Sequence, residues 1–579
     1  MAESSHLYQY APLEGPNSFR ILEILPGQDG EPLRCNIIHV SMDEKPEYEA
    51  LSYVWSLGKA TIYCGSSNAI FRVSVTCLRA LKYLRLRDKS RNLWIDAICI
   101  NQEDSPAAIE EKDQQVKMMH KIYENASRVL IYPMGLHKLQ TWDVCILLRL
   151  VNVQVDDRHQ EKVPIPRQYQ DVARSLDKDY DRSELFIPEV YAIARRMEWF
   201  SRTWVIQEAA LAKKAIMILE KAEVPFHKIL DQFMKTFKPH DEFRERLLIH
   251  ASLKKTSTPR PSLLQLAYSS RCAKATRPED KLCALVGIAS DREHFQSAIS
   301  YGKSLATVFA DFSQRFINQT RNLDLLSVVR ECPPSEDFPS WAVQWHTMNV
   351  KYRSVLDPLG SRKNFEACGD FTSTERQGPN THELHLRGIK FDSVRLGSKM
   401  VPEEHFYVGG ALRRLFPLLE GEICRLFGQS PKGHAQTCVV YNDFGKAITN
   451  TFSFGEMKMD EQDTRAVVDL LFKGFQRGDD FSSSVRTMGS ELVEYVLRRT
   501  DYYVFVKTSR GYIGLVDKSV FKGDVICILS GGSVPYVLRP VPGEEGKYQF
   551  IGEAYIEGIM YGEAMEGKEE KDLQDFILV

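Results

Sequence analysis

The chain has 579 residues, which is too long for a single hydrophobic core and predicts roughly two to four domains. Because 75 basic residues face 77 acidic ones, the formal charge of −2 gives no general attraction to nucleic acid or to an anionic membrane. A hydrophobic content of 43% excludes a disordered chain and is enough to build sizeable cores.

The cysteines and the N-terminal segment both indicate the cellular compartment of the protein. Twelve cysteines are scattered without a Cys-x-x-Cys pair, which is typical of free thiols in a reducing compartment and favours neither disulfides nor a zinc site. The segment MAESSHLYQYAPLEG lacks the basic and apolar regions of a signal peptide, and no later apolar run reaches membrane-spanning length. We therefore expect a cytoplasmic protein with no membrane span, no nucleic-acid partner and no metal.

The first quarter of the chain alternates between strands and helices. Residues 19–40 predict two strands joined by Pro-Gly and Asp-Gly turn residues, and 48–55 predict a short buried strand. Residues 61–73 resemble a hairpin, after which Ser74 is a suitable N-cap for a helix reaching to about residue 86.

The alternation continues through the next two hundred residues. An almost continuous apolar strand is predicted over 93–100, followed by a helix over 106–125 that begins with proline, and then by a strand over 128–132. The charged segment 136–185 is interpreted as an insertion with a helix at about 142–151. A helix over 201–213, a strand over 215–219 and a helix over 226–237 come next, in the order typical of a parallel sheet covered by helices on both faces.

Beyond this α/β region the pattern changes twice. Residues 251–380 are mainly helical by pattern, with a helix over 303–317 and an irregular loop over 359–380. Residues 381–579 begin and end with strand alternation and carry a predicted helix over 411–427, so they predict a mixed, β-rich α+β region. The predicted domains are therefore 1–250, 251–380 and 381–579.

One pair of side chains on the helix predicted over 201–213 indicates a small-molecule site. Trp204 and Glu208 are spaced i and i+4, so a helix places the indole and the carboxylate on the same face. A Trp is often a core anchor, however, and a lone Glu on a helix is often a capping or exposed carboxylate, so ordinary packing explains the pair as well.

Three short segments resemble the signatures of the fungal heterokaryon incompatibility (HET) domain proteins, and they occur in the same order. They are Tyr48–Trp55 (YEALSYVW), Leu93–Gln102 (LWIDAICINQ) with the apolar stripe over 115–126, and Arg202–Glu208 (RTWVIQE). Further similarity at 277–287, at 339–341 and at the C-terminal glycines extends the resemblance to most of the chain. Ser56 is a departure, because the family usually has glycine at that position.

The resemblance implies a function and a fold. HET domains are distantly similar to TIR domains, which implies a TIR-like or flavodoxin-like parallel sheet flanked by helices. TIR domains that cleave NAD carry their catalytic Glu in a Trp-Cys-x-x-Glu run on the helix after the third strand, and here Trp204-Val-Ile-Gln-Glu208 occupies that place with Val205 instead of Cys. The analogy implies that Glu208 stabilises a developing oxocarbenium ion during nicotinamide–ribose cleavage.

The implied NAD site lies at the carboxyl ends of the strands. Its candidate ligand-binding residues are Ser52, Tyr53, Trp55, Asp96, Asn101 and Trp204. Each has a structural alternative: core packing is favoured for Trp204, a hydrogen-bonding hub for Asp96 and a helix cap for Asn101. Cys99 is expected to be a buried thiol, and His382 and His385 resemble one exposed strand face more than a metal site.

The resemblance also implies a biological role, namely non-self recognition leading to programmed cell death. NAD would be a substrate, with no prosthetic group, and self-association would switch the reaction on. An incompatibility or sensor partner is also expected, but the residues do not identify it. The alternative is a non-catalytic signalling module that only docks onto partners or onto copies of itself.

Overall fold

The computed structural model divides the chain into two compact units, Met1–Lys303 and Ser304–Val579. The residues that it describes are 6–65, 69–135, 138–152, 163–172, 174, 187–238, 241–253, 259–331, 337–347, 355, 365–372, 382–397 and 503–579. The helix predicted over 411–427 and most of the loop predicted over 359–380 lie outside these ranges. The domain boundaries placed after residues 250 and 380 stay predictions.

The first unit contains one mixed sheet of nine strands among its described residues. The strands are β1 (Ser18–Ile24), β2 (Arg34–Ser41), β3 (Glu49–Tyr53), β4 (Lys59–Cys64), β5 (Ala69–Ser74), β6 (Arg91–Trp94), β7 (Val129–Tyr132), β8 (Ala215–Leu219) and β9 (Ala222–Pro225). They are hydrogen-bonded in the order β5-β4-β2-β1-β6-β3-β7-β8-β9. The hairpins predicted within 19–40 and 61–73 are confirmed as the antiparallel pairs β1–β2 and β4–β5.

Only the centre of this sheet is continuously parallel. Strands β6, β3, β7 and β8 run in the same direction, with Ala50 paired both to Trp94 on β6 and to Val129 on β7. Strands β1 and β9 join this group in antiparallel orientation. The expectation of a parallel sheet was therefore wrong for the edges. The hairpins pair locally there, which needs no crossover helix.

The helices of the first unit lie between these strands in the sequence or follow β9. They are α1 (Val75–Leu84), α2 (Asp96–Cys99), α3 (Pro106–Asn125), α4 (Thr141–Asn152), α5 (Ile187–Arg196), α6 (Trp204–Leu211), α7 (Phe226–Thr236), α8 (Glu242–Ser252), α9 (Leu263–Ser269) and α10 (Asp280–Val286). Ser74 caps α1 as predicted, because its side chain accepts the backbone N–H of Cys77. The helices predicted over 106–125, 142–151 and 226–237 are likewise confirmed.

The apolar run Leu93–Ile100 is not one strand. β6 ends at Trp94, and Asp96 begins the single helical turn α2, in which the backbone N–H of Cys99 donates to the carbonyl of Ile95 at 2.7 Å. The apolar residues 93–95 and 98–100 are buried, and only Asp96 interrupts the apolar run. Periodicity cannot distinguish a buried strand from a buried helical turn, and this explains the error.

Helix α6 is shorter than the predicted 201–213 and runs from Trp204 to Leu211. A 3-10 turn, Glu198–Ser201, precedes it and directs the chain into the helix. Most of the helix is buried, including Val205 and Glu208. A helix with so little exposed surface is part of the core of its unit.

The second unit combines helical segments with a closed β-barrel. Helix α11 (Leu305–Thr320) and the 3-10 segment Asp324–Glu331 come first. The strands are β10 (Leu384–Gly397), β11 (Tyr503–Thr508), β12 (Ile513–Asp517), β13 (Val525–Leu529), β14 (Tyr536–Pro540), β15 (Lys547–Ile556) and β16 (Gln574–Leu578). Pairing runs β11-β12-β15-β14-β13-β10, and β10 pairs again with β11, so six strands close into a ring that leaves no free edge among them.

The described residues include no helix long and apolar enough to cross a membrane. Nine cysteines in the described ranges are free thiols, and eight of these nine are buried.

Candidate functional site

Glu208 sits at the carboxyl end of the central strand β3. Its side chain belongs to a residue that is only 4% exposed, and it accepts a hydrogen bond from the hydroxyl of Ser52 near the end of β3. The Ser52 oxygen in turn accepts the indole N–H of Trp199 at 2.6 Å. Two successive hydrogen bonds, from indole to hydroxyl and from hydroxyl to carboxylate, therefore lie in the interior of the first unit.

The surroundings of Glu208 shift its ionisation towards neutrality. Burial, followed by the charge of Asp96, raises the pKa of Glu208 from its ordinary value of 4.5 to about 7. Hydrogen bonds from Ser52 and Tyr123 and the nearby charge of Arg202 oppose that rise in pKa. A buried carboxyl that is partly protonated at neutral pH can exchange a proton or stabilise a cation with little reorganisation.

Asp96 is the second carboxylate of the site and begins helix α2. It accepts the indole N–H of Trp55 at 3.1 Å and the backbone N–H of Ala97 at 2.7 Å. Burial raises the pKa of Asp96, while the positive charge of Arg202 and these hydrogen bonds lower it. The geometry is that of a hydrogen-bonding hub, and the 43% exposed Trp55 is its most accessible member.

Arg202 places a cation beside both carboxylates. Its guanidinium donates to the backbone carbonyl of Tyr53 at 2.7 Å, which fixes it against the end of β3. The Tyr53 side chain itself is buried at 3% exposure. Tyr53 therefore supplies a backbone acceptor to the site.

Trp204 and Glu208 have different partners although they share α6. Trp204 is half-buried and hydrogen-bonded to the carboxylate of Asp280, which also accepts the Tyr301 hydroxyl at 2.6 Å. Within the described residues, no hydrogen bond joins these groups to Ser52 or Glu208. The two side chains thus line different surroundings, one turn apart.

Asn101 is hydrogen-bonded to residues other than Asp96 and Glu208. Its side-chain oxygen accepts the backbone N–H of Glu103 at 3.0 Å, and its own backbone N–H donates to Glu111 at 2.9 Å. These contacts are those of a turn-capping residue. Of the sequence candidates, Ser52, Asp96 and Glu208 come together around Arg202, whereas Asn101 and Trp204 are engaged elsewhere.

Two residues of the site were not predicted from the sequence. Trp199 precedes the RTWVIQE run, and Tyr123 was counted only as part of an apolar helical stripe. Buried Trp and Tyr side chains normally find a partner for their N–H or O–H group, so their polar atoms were the available signal. What the sequence could not indicate is that Trp199 donates to Ser52, and that the Tyr123 hydroxyl donates to the Leu51 carbonyl at 3.4 Å beside Glu208. No cluster of His, Cys, Asp and Glu in the described ranges could hold a metal ion.

Comparison with known proteins gives two matches to family models and one to a curated protein. Residues 48–208 match the model described as heterokaryon incompatibility protein (HET), and residues 483–579 match the Het-6 beta-barrel domain. Heterokaryon incompatibility protein 6, OR allele, from Neurospora crassa is 24% identical over 682 residues, covering 98% of this chain and 97% of the relative. No solved structure matches the chain.

The two model matches relate differently to the fold. The first begins at the start of the YEALSYVW segment and ends at Glu208, so Ser52 and Glu208 lie close to its two limits. The second covers β11 to β16 but not β10, the strand that closes the ring. One strand of the barrel, β10, therefore lies outside the matched region.

Proposed function

We propose that the chain, which carries a heterokaryon incompatibility (HET) domain over residues 48–208, acts in non-self recognition in a fungus, with its first unit delivering a cell-death signal. Support comes from the HET match over residues 48–208 and from near full-length similarity to a protein named for heterokaryon incompatibility. The cell-death signal is the part of the proposal that rests on the site around Glu208.

The proposed reaction is hydrolysis of NAD at the bond between nicotinamide and ribose. The observation that carries it is a buried carboxyl with a pKa of about 7 on α6, the last helix between the parallel strands β7 and β8. The order β6-β3-β7-β8, all parallel, is also the strand order of flavodoxin-like sheets, whose ligands bind at the carboxyl ends of the strands.

In this mechanism Glu208 works as an anion. As the C–N bond breaks, nicotinamide leaves with the bonding electron pair and positive charge develops on the ribose, which the ionised Glu208 stabilises. Water then adds to the anomeric carbon and releases a proton, giving ADP-ribose. Ser52 holds the carboxylate in place through its hydrogen bond.

The burial of Glu208 sets a condition on this reaction. A carboxylate in a residue that is 4% exposed cannot contact a ribose until neighbouring groups move. Self-association is the proposed trigger for that movement, so activity should depend on protein concentration.

The same burial favours a second candidate function. A carboxyl satisfied by Ser52 and Tyr123 inside the first unit could serve packing alone. The first unit would then be a non-catalytic signalling module that docks onto partners or onto copies of itself.

Release of nicotinamide from NAD distinguishes the two functions. Full-length protein is incubated with NAD at low and high protein concentration, beside Glu208→Gln and the control Glu103→Gln, which alters an exposed carboxylate. NAD hydrolysis predicts turnover in the concentrated wild type, retained in the control and lowered at least about 100-fold in Glu208→Gln. Absence of turnover in self-associated wild type would leave the non-catalytic function, and full turnover in Glu208→Gln would exclude Glu208 as the catalytic group.

A further inference from the structure

The second unit contains a cavity of about 410 Å³ beside its β-barrel. Strand β10, the turn between β11 and β12, and the segment from Gly558 to Gln574 enclose it. The lining residues used below are Lys390, Phe391, Arg510, Tyr512, Ile559 and Lys568. This volume lies within the range of roughly 300–1,000 Å³ that is typical of small-molecule sites.

One wall of the cavity is aromatic and carries a fixed guanidinium. The rings of Phe391 and Tyr512 meet edge to face, with centroids 5.0 Å apart. The Arg510 guanidinium lies 4.9 Å from the Phe391 ring centroid and 5.9 Å from that of Tyr512. It also donates to the backbone carbonyl of Phe391 at 3.4 Å. Cation–π contacts on two rings limit the freedom of this side chain, so the charge is already positioned.

The apolar part of the cavity belongs to the barrel core. Ile559 is 1% exposed and is part of the hydrophobic cluster of the barrel, against which Phe391 and Tyr512 pack. An aromatic ring entering the cavity would therefore meet a rigid apolar surface.

The charges at the cavity favour an anion. Three cations line it, namely Lys390, Arg510 and Lys568, against the two carboxylates of Glu563 and Asp572. Each carboxylate already accepts a backbone N–H within its own turn: Glu563 from Tyr561 at 2.7 Å and Asp572 from Glu569 at 2.8 Å.

The ammonium groups of the two lysines are available to contact a ligand. Within the part of the chain that the structure describes, neither Lys390 nor Lys568 forms an ion pair. Both residues are exposed, so their ammonium groups can turn towards a bound anion. Three cations against two carboxylates leave these five groups with a net charge of +1.

We propose that this cavity binds a nucleoside monophosphate. A phosphate monoester carries a charge of about −1.5 to −2 at neutral pH, which suits one guanidinium and two ammonium groups. The planar guanidinium of Arg510 matches phosphate geometry, and the base packs against Tyr512 and Ile559. The site is in the second unit and does not depend on the reaction proposed for Glu208.

Calorimetric titration of the full-length chain with AMP, GMP, CMP and UMP tests this assignment, with adenosine and inorganic phosphate as partial ligands. At least one nucleotide should bind about ten-fold or more tightly than either partial ligand, because only the nucleotide uses the cations and the apolar wall together. The Lys390→Ala/Lys568→Ala double variant should weaken that nucleotide at least about ten-fold. Both substitutions are at exposed positions, which protects the fold.

Two controls make the result specific to this cavity. Lys571→Ala removes a nearby exposed ammonium that pairs with Glu569 and does not line the cavity, so it should leave the affinity unchanged. Glu103→Gln alters an exposed carboxylate of the first unit and should also have no effect. The proposal is overturned if none of the four nucleotides binds, or if the Lys390→Ala/Lys568→Ala variant binds as tightly as wild type.

Discussion

Ser52 and Glu208 are 156 positions apart in the chain, yet the hydroxyl of Ser52 donates a hydrogen bond to the carboxylate of Glu208. The contact joins the end of strand β3 to helix α6. The indole N–H of Trp199 donates a second hydrogen bond to the same Ser52 oxygen. The first and third signature segments of the HET match thus meet at a single buried polar group.

Glu208 should make the stability of the first unit depend on pH. Its pKa is 4.5 ordinarily and about 7 in the fold, so the folded state binds the proton more tightly. This stabilisation is present below pH 4.5 and is lost as pH rises through 7. In urea unfolding, Glu208→Gln should gain on the order of 3 kcal/mol relative to wild type between pH 4.5 and 8. A difference that stays constant with pH would contradict the shift, and Glu103→Gln is the matched control.

Ser52→Ala removes the link between Trp199 and Glu208. The indole N–H and the carboxylate each lose a partner in the interior, which costs about 1–3 kcal/mol. Thermal unfolding should therefore show a lower midpoint for Ser52→Ala than for Ser290→Ala, which alters an exposed serine. Equal midpoints would mean that the hydrogen bonds contribute nothing net.

A second buried polar contact of the first unit, an ion pair, should also contribute to the free energy of unfolding. Arg20 is fully buried and contacts both oxygens of Glu111, at 2.7 and 2.8 Å. Glu111→Gln leaves the guanidinium without its counter-charge and should destabilise the unit by about 3–5 kcal/mol, measured by chemical unfolding. The neighbouring exposed Glu110→Gln should change the free energy of unfolding by less than about 0.5 kcal/mol. A small effect of Glu111→Gln would show that water reaches Arg20.

Gly388 should be irreplaceable in the barrel. A Cβ at this position would collide with the carbonyl oxygen of Ile528 and with the backbone of Leu529 on the neighbouring strand. Backbone cannot yield as a flexible side chain does, so Gly388→Ala should disrupt the pairing of β10 with β13 and lower stability by more than about 3 kcal/mol. Limited proteolysis of the second unit measures this, and Gly302→Ala, where a Cβ meets open space, should behave as wild type.

Local signals in the sequence predicted much of the first unit. The cap at Ser74, the proline that begins α3 and the helix Thr141–Asn152 each depend on neighbours in the chain, and all three are confirmed. The run Leu93–Ile100 failed because its residues are apolar on both sides of the break, which removes the periodic signal.

Contacts between residues that are far apart in the chain were harder to predict from the sequence. The signature segments placed Ser52 and Glu208 in one region, but no sequence spacing predicts that Trp199 and Tyr123 complete the polar group. Closure of the barrel depends on pairing between β10 and β11, which are far apart in the chain, and hydrophobic alternation carries no information on which strands pair.

Strand β10 gives the barrel an unusual order of assembly. It ends at Gly397, whereas its partners β11, β13 and β16 all begin at or after Tyr503. At a synthesis rate of about 5–20 residues per second, β10 waits roughly 5–20 s on the ribosome before its first partner exists. During that interval its buried residues, such as Leu384 and Leu386, lack their final cover. The barrel of the second unit therefore cannot close until the C-terminal strands have been synthesised.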